Sequence, residues 1–151
     1  MDDVILSRLG LVVITWAQIE AQCGELFECM LKASPGTLHV LIPTVSNATL
    51  TNWIRILATD RFASDAFREH VLEILSRADD LRADRNSLAH GIWTPGPVAG
   101  SALVQTVRLD RTDVIQDSLV TVADLNDFLA HLTDVLRDLA EAVERLRPSG
   151  S

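Results

Sequence analysis

Three long stretches of the chain carry apolar residues at alternating spacings of four and three, and no other sequence feature constrains the fold as strongly. This spacing places the apolar side chains on one face of a helix, here called a seam, as in coiled coils and helical bundles. The seam of the first stretch is Ile5, Leu9, Val12, Trp16, Ile19, Cys23, Leu26 and Met30. Those of the second and third are Ile74, Ala78, Leu81, Arg85, Leu88 and Ile92, and then Leu125, Phe128, Leu132, Val135, Leu139, Ala142 and Leu146. We therefore expect three long helices that pack through their seams.

Helix start and stop signals flank these stretches. Asp2 or Asp3 can cap the first helix, and Ser34-Pro35-Gly36 ends it. Ser64 and Asp65 open the second long helix, and Gly91 ends it as a left-handed cap. Thr121 followed by Asp124 is a variant of the capping box and begins the last helix, which runs to Arg147.

Shorter elements occupy the remaining sequence. Residues 38–42 predict a short apolar helix or turn, and Ser46 or Asn47 caps a helix that extends to about Ala58. Residues 102–109 and 114–120 read as a β-hairpin closed by a turn at 110–113, with Leu103, Val107 and Leu109 on one face. The fold class predicted is all-α: an antiparallel bundle of four to five helices with a small β-hairpin insertion before the last helix. We expect one domain over residues 1–148 and a disordered tail at 149–151.

Charge and hydropathy limit the class of protein. The net charge is −8, and Lys32 is the only lysine, so the chain lacks the basic surface of a general nucleic-acid binder. The longest apolar run, residues 9–17, falls short of the ~20 residues of a membrane span, and the acidic start does not resemble a signal peptide. Cys23 and Cys29 lie on different faces of one helix, which favours reduced thiols. We expect a cytoplasmic protein with no membrane association, no cofactor and no metal site.

Arg85 breaks the pattern, because it occupies a seam position between Leu81 and Leu88. A buried guanidinium without a partner is costly, so it needs a carboxylate, a phosphate or a wet cleft. One interpretation is a structural ion pair with an acidic side chain of the first helix, namely Glu20, Glu25 or Glu28. The other is a site that binds phosphate.

His90 follows Arg85 near the predicted end of the same helix. Asn86 lies one turn before His90, so their side chains can touch. A histidine at the C-terminus of a helix can simply complement the helix dipole, but it can also exchange protons near neutral pH.

Together, Arg85-Asn86-Ser87-Leu88-Ala89-His90 have the form R-N-x-x-x-H, which resembles the signature of the HEPN superfamily. The next residues, Gly91-Ile92-Trp93, resemble the H-G-x-W ending of many small bacterial proteins of this type. The resemblance implies an all-helical domain that acts as a metal-independent endoribonuclease, often a toxin or a phage-defence component. It also implies a homodimer in which two motif helices form one composite cleft.

These implications give the candidate residues their roles. Arg85 would bind the scissile phosphate and stabilise its developing charge, and His90 would transfer protons. Asn86 would orient His90 or add a hydrogen bond. The partners implied are a second copy, RNA and an antitoxin-type protein, with no DNA expected.

The alternative function is a non-catalytic HEPN-like module for helical interaction or nucleotide binding. In that case Arg85 is structural or holds a nucleotide phosphate. Trp93 is a weaker candidate for substrate binding, since it could stack on a base, although a tryptophan that closes a bundle end is more often core.

Overall fold

Four α-helices and a small sheet make up the computed structural model, which describes residues 2–32, 42–62, 66–107 and 115–147. The helices are α1 (Asp3–Leu31), α2 (Asn47–Arg61), α3 (Ala66–His90) and α4 (Val122–Leu146), with a 3-10 turn at Ile42–Thr44. The strands are β1 (Ile92–Pro95), β2 (Ser101–Val107) and β3 (Ile115–Thr121). A mostly helical fold with a β insertion before the last helix is therefore confirmed.

The predicted caps of three helices form. Asp2 begins α1, because its Oδ1 accepts from the Val4 N–H at 2.9 Å. The Ser46 Oγ accepts from the Thr49 N–H at 3.1 Å at the start of α2. At the start of α4, the Thr121 N–H donates to the Asp124 carboxylate at 2.8 Å, and the Asp124 N–H donates to the Thr121 Oγ1 at 3.2 Å. This reciprocal pair is the predicted capping box, and it holds the pKa of Asp124 below its usual value through the hydrogen bonds from Thr121.

The seams are the core. All the seam residues of α1 are buried except Leu9, which is half-buried. Ile74 and Ala78 of α3 are buried, as are Leu125, Leu132, Val135, Leu139 and Ala142 of α4. The spacing of four and three thus predicted most of the buried faces, although Leu81, Leu88, Phe128 and Leu146 are only half-buried.

The sheet contains the predicted hairpin and one strand that the sequence did not reveal. β2 and β3 pair antiparallel from Ser101 with Thr121 to Val107 with Ile115. β1 pairs antiparallel with the other edge of β2, so the strand order is β1-β2-β3. The prediction of Ile92 as a seam residue of the helix is wrong, because Ile92 starts β1 and is exposed. The face of β2 that points into the core carries Ala102 and Val104, while Leu103 is exposed.

The chain divides into two compact units. Unit 1 contains Met1–Trp16 and Asp80–Thr133, and unit 2 contains Ala17–Asp79 and Asp134–Ser151. A single domain over 1–148 stays a prediction. The predictions for residues 34–36, 38–41, 64–65, 110–113 and 149–151 lie outside the described residues.

Unit 2 is helical, and polar contacts join its helices. Arg61 of α2 donates to the Met30 carbonyl of α1, and Arg55 of α2 pairs with Asp79 of α3. Two more ion pairs attach α4, from Arg77 to Asp138 and from Arg147 to Glu25. Both cysteines are free thiols, and burial raises the pKa of Cys23 to about 12.

Unit 1 contains the sheet and the cluster formed by Ile5, Ala102 and Leu125. Leu9, Leu88, Trp93, Val120 and Val122 pack against this cluster. It therefore joins the start of α1, the end of α3, the start of α4 and the sheet within one apolar core.

Helix α1 is more apolar than the run at residues 9–17 suggests. Its 29 residues are long and apolar enough to cross a membrane by length and composition, a criterion that core helices of soluble proteins also meet. Its seam is buried, but only 22% of the apolar window is buried, and signal sequences near an N-terminus meet the same criterion. The cytoplasmic location stays a prediction.

Candidate functional site

Arg85 lies in the last third of α3 and is half-buried. Its guanidinium carbon is 5.5 Å from the centroid of the Trp16 ring, which is a cation–π contact. Trp16 is almost fully buried in the seam of α1. Because the two seams face each other inside unit 1, the arginine at a leucine position reaches an aromatic face.

Asn86 provides the second contact of the guanidinium. The Arg85 Nη1 donates to the Asn86 Oδ1 at 3.0 Å, while the Arg85 Nε is buried without a hydrogen-bond partner among the described residues. The amide and the indole both contact the guanidinium, and neither neutralises its charge.

The ion pair proposed from the sequence does not form. No carboxylate of the described residues lies within 4.0 Å of the guanidinium nitrogens of Arg85. Glu25, one of the three candidates, pairs with Arg147 instead. The positive charge of Arg85 therefore stays unpaired within the part of the chain that the structure describes.

His90 is the last residue of α3, and its side chain is exposed. The described residues give its imidazole no hydrogen-bond partner, so it makes no hydrogen bond with Asn86. His90 is also about 140° around the helix from Arg85. The structure therefore joins Arg85 to Asn86 but leaves His90 separate.

Gly91 ends α3 for a reason other than the one predicted. Its N–H donates to the Ser87 carbonyl at 3.0 Å, and its φ does not lie in the left-handed region, unlike that of Gly100. A Cβ at this position would lie 2.4 Å from the Val104 Cγ1 and 2.7 Å from the Ser87 oxygen. The glycine is needed because α3 passes directly against β2, and this close approach fixes the backbone at His90.

Trp93 follows in β1 and is half-buried. Its indole N–H donates to the Leu88 carbonyl at 2.9 Å, and its ring packs against the cluster of unit 1. These contacts favour a core role over base stacking.

A cavity of about 360 Å³ lies on another side of α3. Its polar lining comes from three elements: Asp84 and Ser87 of α3, Thr106 and Ser118 of the sheet, and Asp124 of α4. Apolar walls are provided by Leu88, Val104, Val120, Leu125 and Phe128. This cavity could not be predicted from the sequence, because its polar residues are far apart along the chain and are brought together only by the sheet.

A second, apolar groove of about 260 Å³ lies where α1 meets the end of α3. It is lined by Leu9, Gly10, Val12, Val13, Leu88, Ala89 and Trp93. Leu88 and Ala89 lie between Asn86 and His90 in the sequence, so this groove adjoins the motif.

Within the described ranges, no group of three or more His, Cys, Asp or Glu side chains is placed to hold a metal ion. The chain matches no protein-family model, no curated protein and no solved structure.

Proposed function

We propose that this chain is a HEPN-like, metal-independent endoribonuclease that acts as a homodimer with a composite active site. The observation that carries the proposal is the state of Arg85. Its guanidinium is held against Trp16 and Asn86 while no described carboxylate neutralises it. An oriented arginine with an unpaired charge is suited to bind a phosphate through two parallel hydrogen bonds.

The roles of the three motif residues follow from their contacts. Arg85 binds the scissile phosphate and stabilises the charge that develops on it. Asn86 positions Arg85, because its amide oxygen accepts from the guanidinium at 3.0 Å. His90 is exposed and moves protons to or from the reacting oxygens, which an imidazole can do near neutral pH.

The separation of His90 from Arg85 around α3 supports the dimer. A phosphate held by Arg85 needs both an acid and a base, whereas one chain supplies one motif histidine on a different side of the helix. A second copy brings another Arg85 and His90 to the cleft, which provides both proton-transfer groups. The net charge of −8 restricts RNA binding to that cleft.

The test is cleavage of a labelled single-stranded RNA in EDTA. We expect Arg85→Ala to lower the rate about 10²–10³-fold and His90→Ala to lower it about 10²–10⁴-fold. His131→Ala is the matched control, since His131 is also exposed, on α4, and lies outside the motif. Equal rates for all four proteins would remove the assignment.

The biological setting in this proposal is a toxin or phage-defence component that an antitoxin-type protein restrains. Induced expression of the wild type should then arrest bacterial growth, and expression of His90→Ala should not. Arrest by both would separate toxicity from the proposed chemistry.

A second candidate function is a non-catalytic module for helical interaction or nucleotide binding. The contact of Arg85 with Trp16 favours it, because that contact holds the arginine within its own chain. This candidate predicts that the wild type cleaves no RNA but binds a nucleoside triphosphate in calorimetry, and that Arg85→Ala loses this binding.

A further inference from the structure

The exposed side of α1 is largely apolar after its first turn. No charged residue occurs between Arg8 and Glu20. Five large apolar side chains on the first four turns of α1 are exposed to 40–57%: Val4, Leu6, Leu11, Val13 and Ile14. We call them the α1 face. They lie opposite the seam, which is already buried in unit 1.

The α1 face adjoins the apolar groove. Gly10 and Val13 line that groove, and a Cβ added at Gly10 would meet no atom within 4 Å. The missing side chain therefore opens the groove toward solvent at the centre of the α1 face. Ile14, one turn after Gly10, is the most exposed of the five side chains.

We propose that a second copy of this chain covers the α1 face and the groove. The surface is self-complementary, because one helix carries both a protruding side chain, Ile14, and a gap at Gly10. In a two-fold pair each copy inserts its protrusion into the gap of the other, which closes the assembly at two chains.

The size of the surface agrees with a dimer. The five side chains, each about half exposed, present on the order of 400 Å² of apolar surface, a size at which a patch indicates an interaction site. A standard interface buries about 800 Å² per partner, of which about 65% is apolar in homodimers. The α1 face and the groove together supply most of that apolar share.

The negative charge of the chain argues against a lipid bilayer as the partner of the α1 face. Helices that lie on membranes flank their apolar face with lysine and arginine. The α1 face is preceded by Asp2 and Asp3, both exposed, and the chain carries a net charge of −8. An anionic lipid surface would repel it, whereas an uncharged face on a second copy would not.

The inference rests on the proposed function in one respect, because that function requires a second copy. The groove also links the α1 face to the motif, because Leu88 and Ala89 line the groove and belong to the motif. Pairing at the groove places the partner against Leu88 and Ala89 of α3.

Sedimentation velocity without RNA tests the inference. The wild type should sediment as a dimer at tens of micromolar, and Ile14→Arg should be a monomer. Ile56→Arg is the matched control, since Ile56 lies on α2 and is exposed to 58%. It should stay a dimer.

Gly10→Glu is the second variant and keeps the test independent of misfolding. Its side chain has open space around it, and glutamate favours a helix more than glycine does. We expect a monomer whose melting temperature is no lower than that of the wild type.

The outcomes separate the two proposals. A wild-type dimer that neither variant dissociates overturns this interface and leaves the nuclease proposal standing. Dissociation by both variants supports the interface whatever the cleavage assay gives. A monomeric wild type overturns the interface and the composite cleft, and binding of that monomer to phosphatidylglycerol vesicles, abolished by Ile14→Arg, would assign the α1 face to lipid.

Discussion

Arg77 and Arg85 lie eight residues apart on α3, and both are partly buried, yet they are held in opposite ways. Arg77, in unit 2, pairs with the Asp138 carboxylate of α4 at 2.5 Å. Arg85, in unit 1, lies over the Trp16 ring and donates to the neutral amide of Asn86. The first arrangement neutralises the cation, and the second gives it no carboxylate partner among the residues that the structure describes.

The same contrast extends to other arginines of the two units. Arg55 and Arg147 of unit 2 also pair with carboxylates, those of Asp79 and Glu25. In unit 1, Arg8 is half-buried and has no ion-pair partner among the described residues. Arginines thus join helices in unit 2, whereas Arg8 and Arg85 of unit 1 have no carboxylate partner among the described residues.

The largest expected effect is a difference in RNA cleavage between the variants Arg85→Lys and Arg77→Lys. Arg85→Lys keeps the charge but loses the planar group that stacks on Trp16 and binds phosphate with two hydrogen bonds, so we expect RNA cleavage to fall at least about tenfold. Arg77→Lys keeps the ion pair with Asp138 and should cleave at the wild-type rate. Initial rates in EDTA measure both, and equal losses would show that the two arginines do not differ in function.

The ion pair of unit 2 should contribute more to stability than the stacked arginine. Asp138→Asn removes the negative charge from a mostly buried pair, and we expect the free energy of unfolding to fall by about 1–2 kcal/mol at pH 7. The hydrogen bond from Arg77 holds the pKa of Asp138 below its usual value of 3.8, so the carboxylate stabilises the fold above that pH. The difference between wild type and variant should shrink as the pH falls through and below about 4, as urea titrations at pH 7 and pH 3 can measure. A constant difference would contradict the assignment.

The two units also differ in how their helices are capped. Thr121→Ala disrupts a reciprocal box in unit 1, whereas Ser46→Ala removes a one-way cap in unit 2. We expect losses of about 1–2 kcal/mol and about 0.5–1 kcal/mol respectively. Thermal melts of the two variants check the order, and the reverse order would show that the box adds nothing.

Arg85→Ala should have the smallest effect on stability. It strands no described carboxylate, and the loss of one cation–π contact corresponds to about 0.5–1 kcal/mol. The loss should not change between pH 7 and pH 3, in contrast with Asp138→Asn. A loss of several kcal/mol, with the RNA cleavage rate unchanged, would mark Arg85 as a structural residue and favour the interaction module.

Local signals in the sequence predicted much of this fold. The seams, the caps at Asp2, Ser46 and Thr121, and the pairing of β2 with β3 depend on residues close together in the chain, and the structure confirms them. β1 was missed because four residues carry too little pattern to distinguish a strand from the end of a helix.

The candidate site was less accessible from sequence. Arg85 was identified because it interrupts a seam, but its partner Trp16 is 69 residues away and looked like an ordinary core residue. Nothing in the sequence links Asp138 to Arg77, and only the packing of α4 shows that the two residues pair. The prediction of a left-handed cap at Gly91 is wrong for a similar reason. A glycine at a helix end can serve either a left-handed turn or the close packing of the helix against a neighbour. The neighbour here is Val104, which belongs to another element.

The close approach at Gly91 ties the end of α3 to the sheet. A Cβ at residue 91 would overlap Val104 of β2, so the helix end and the strand pack directly against each other there. Val104 also lines the cavity beside β2, together with Thr106. One side chain of β2 therefore contributes both to the end of the helix that carries the motif and to a wall of the cavity.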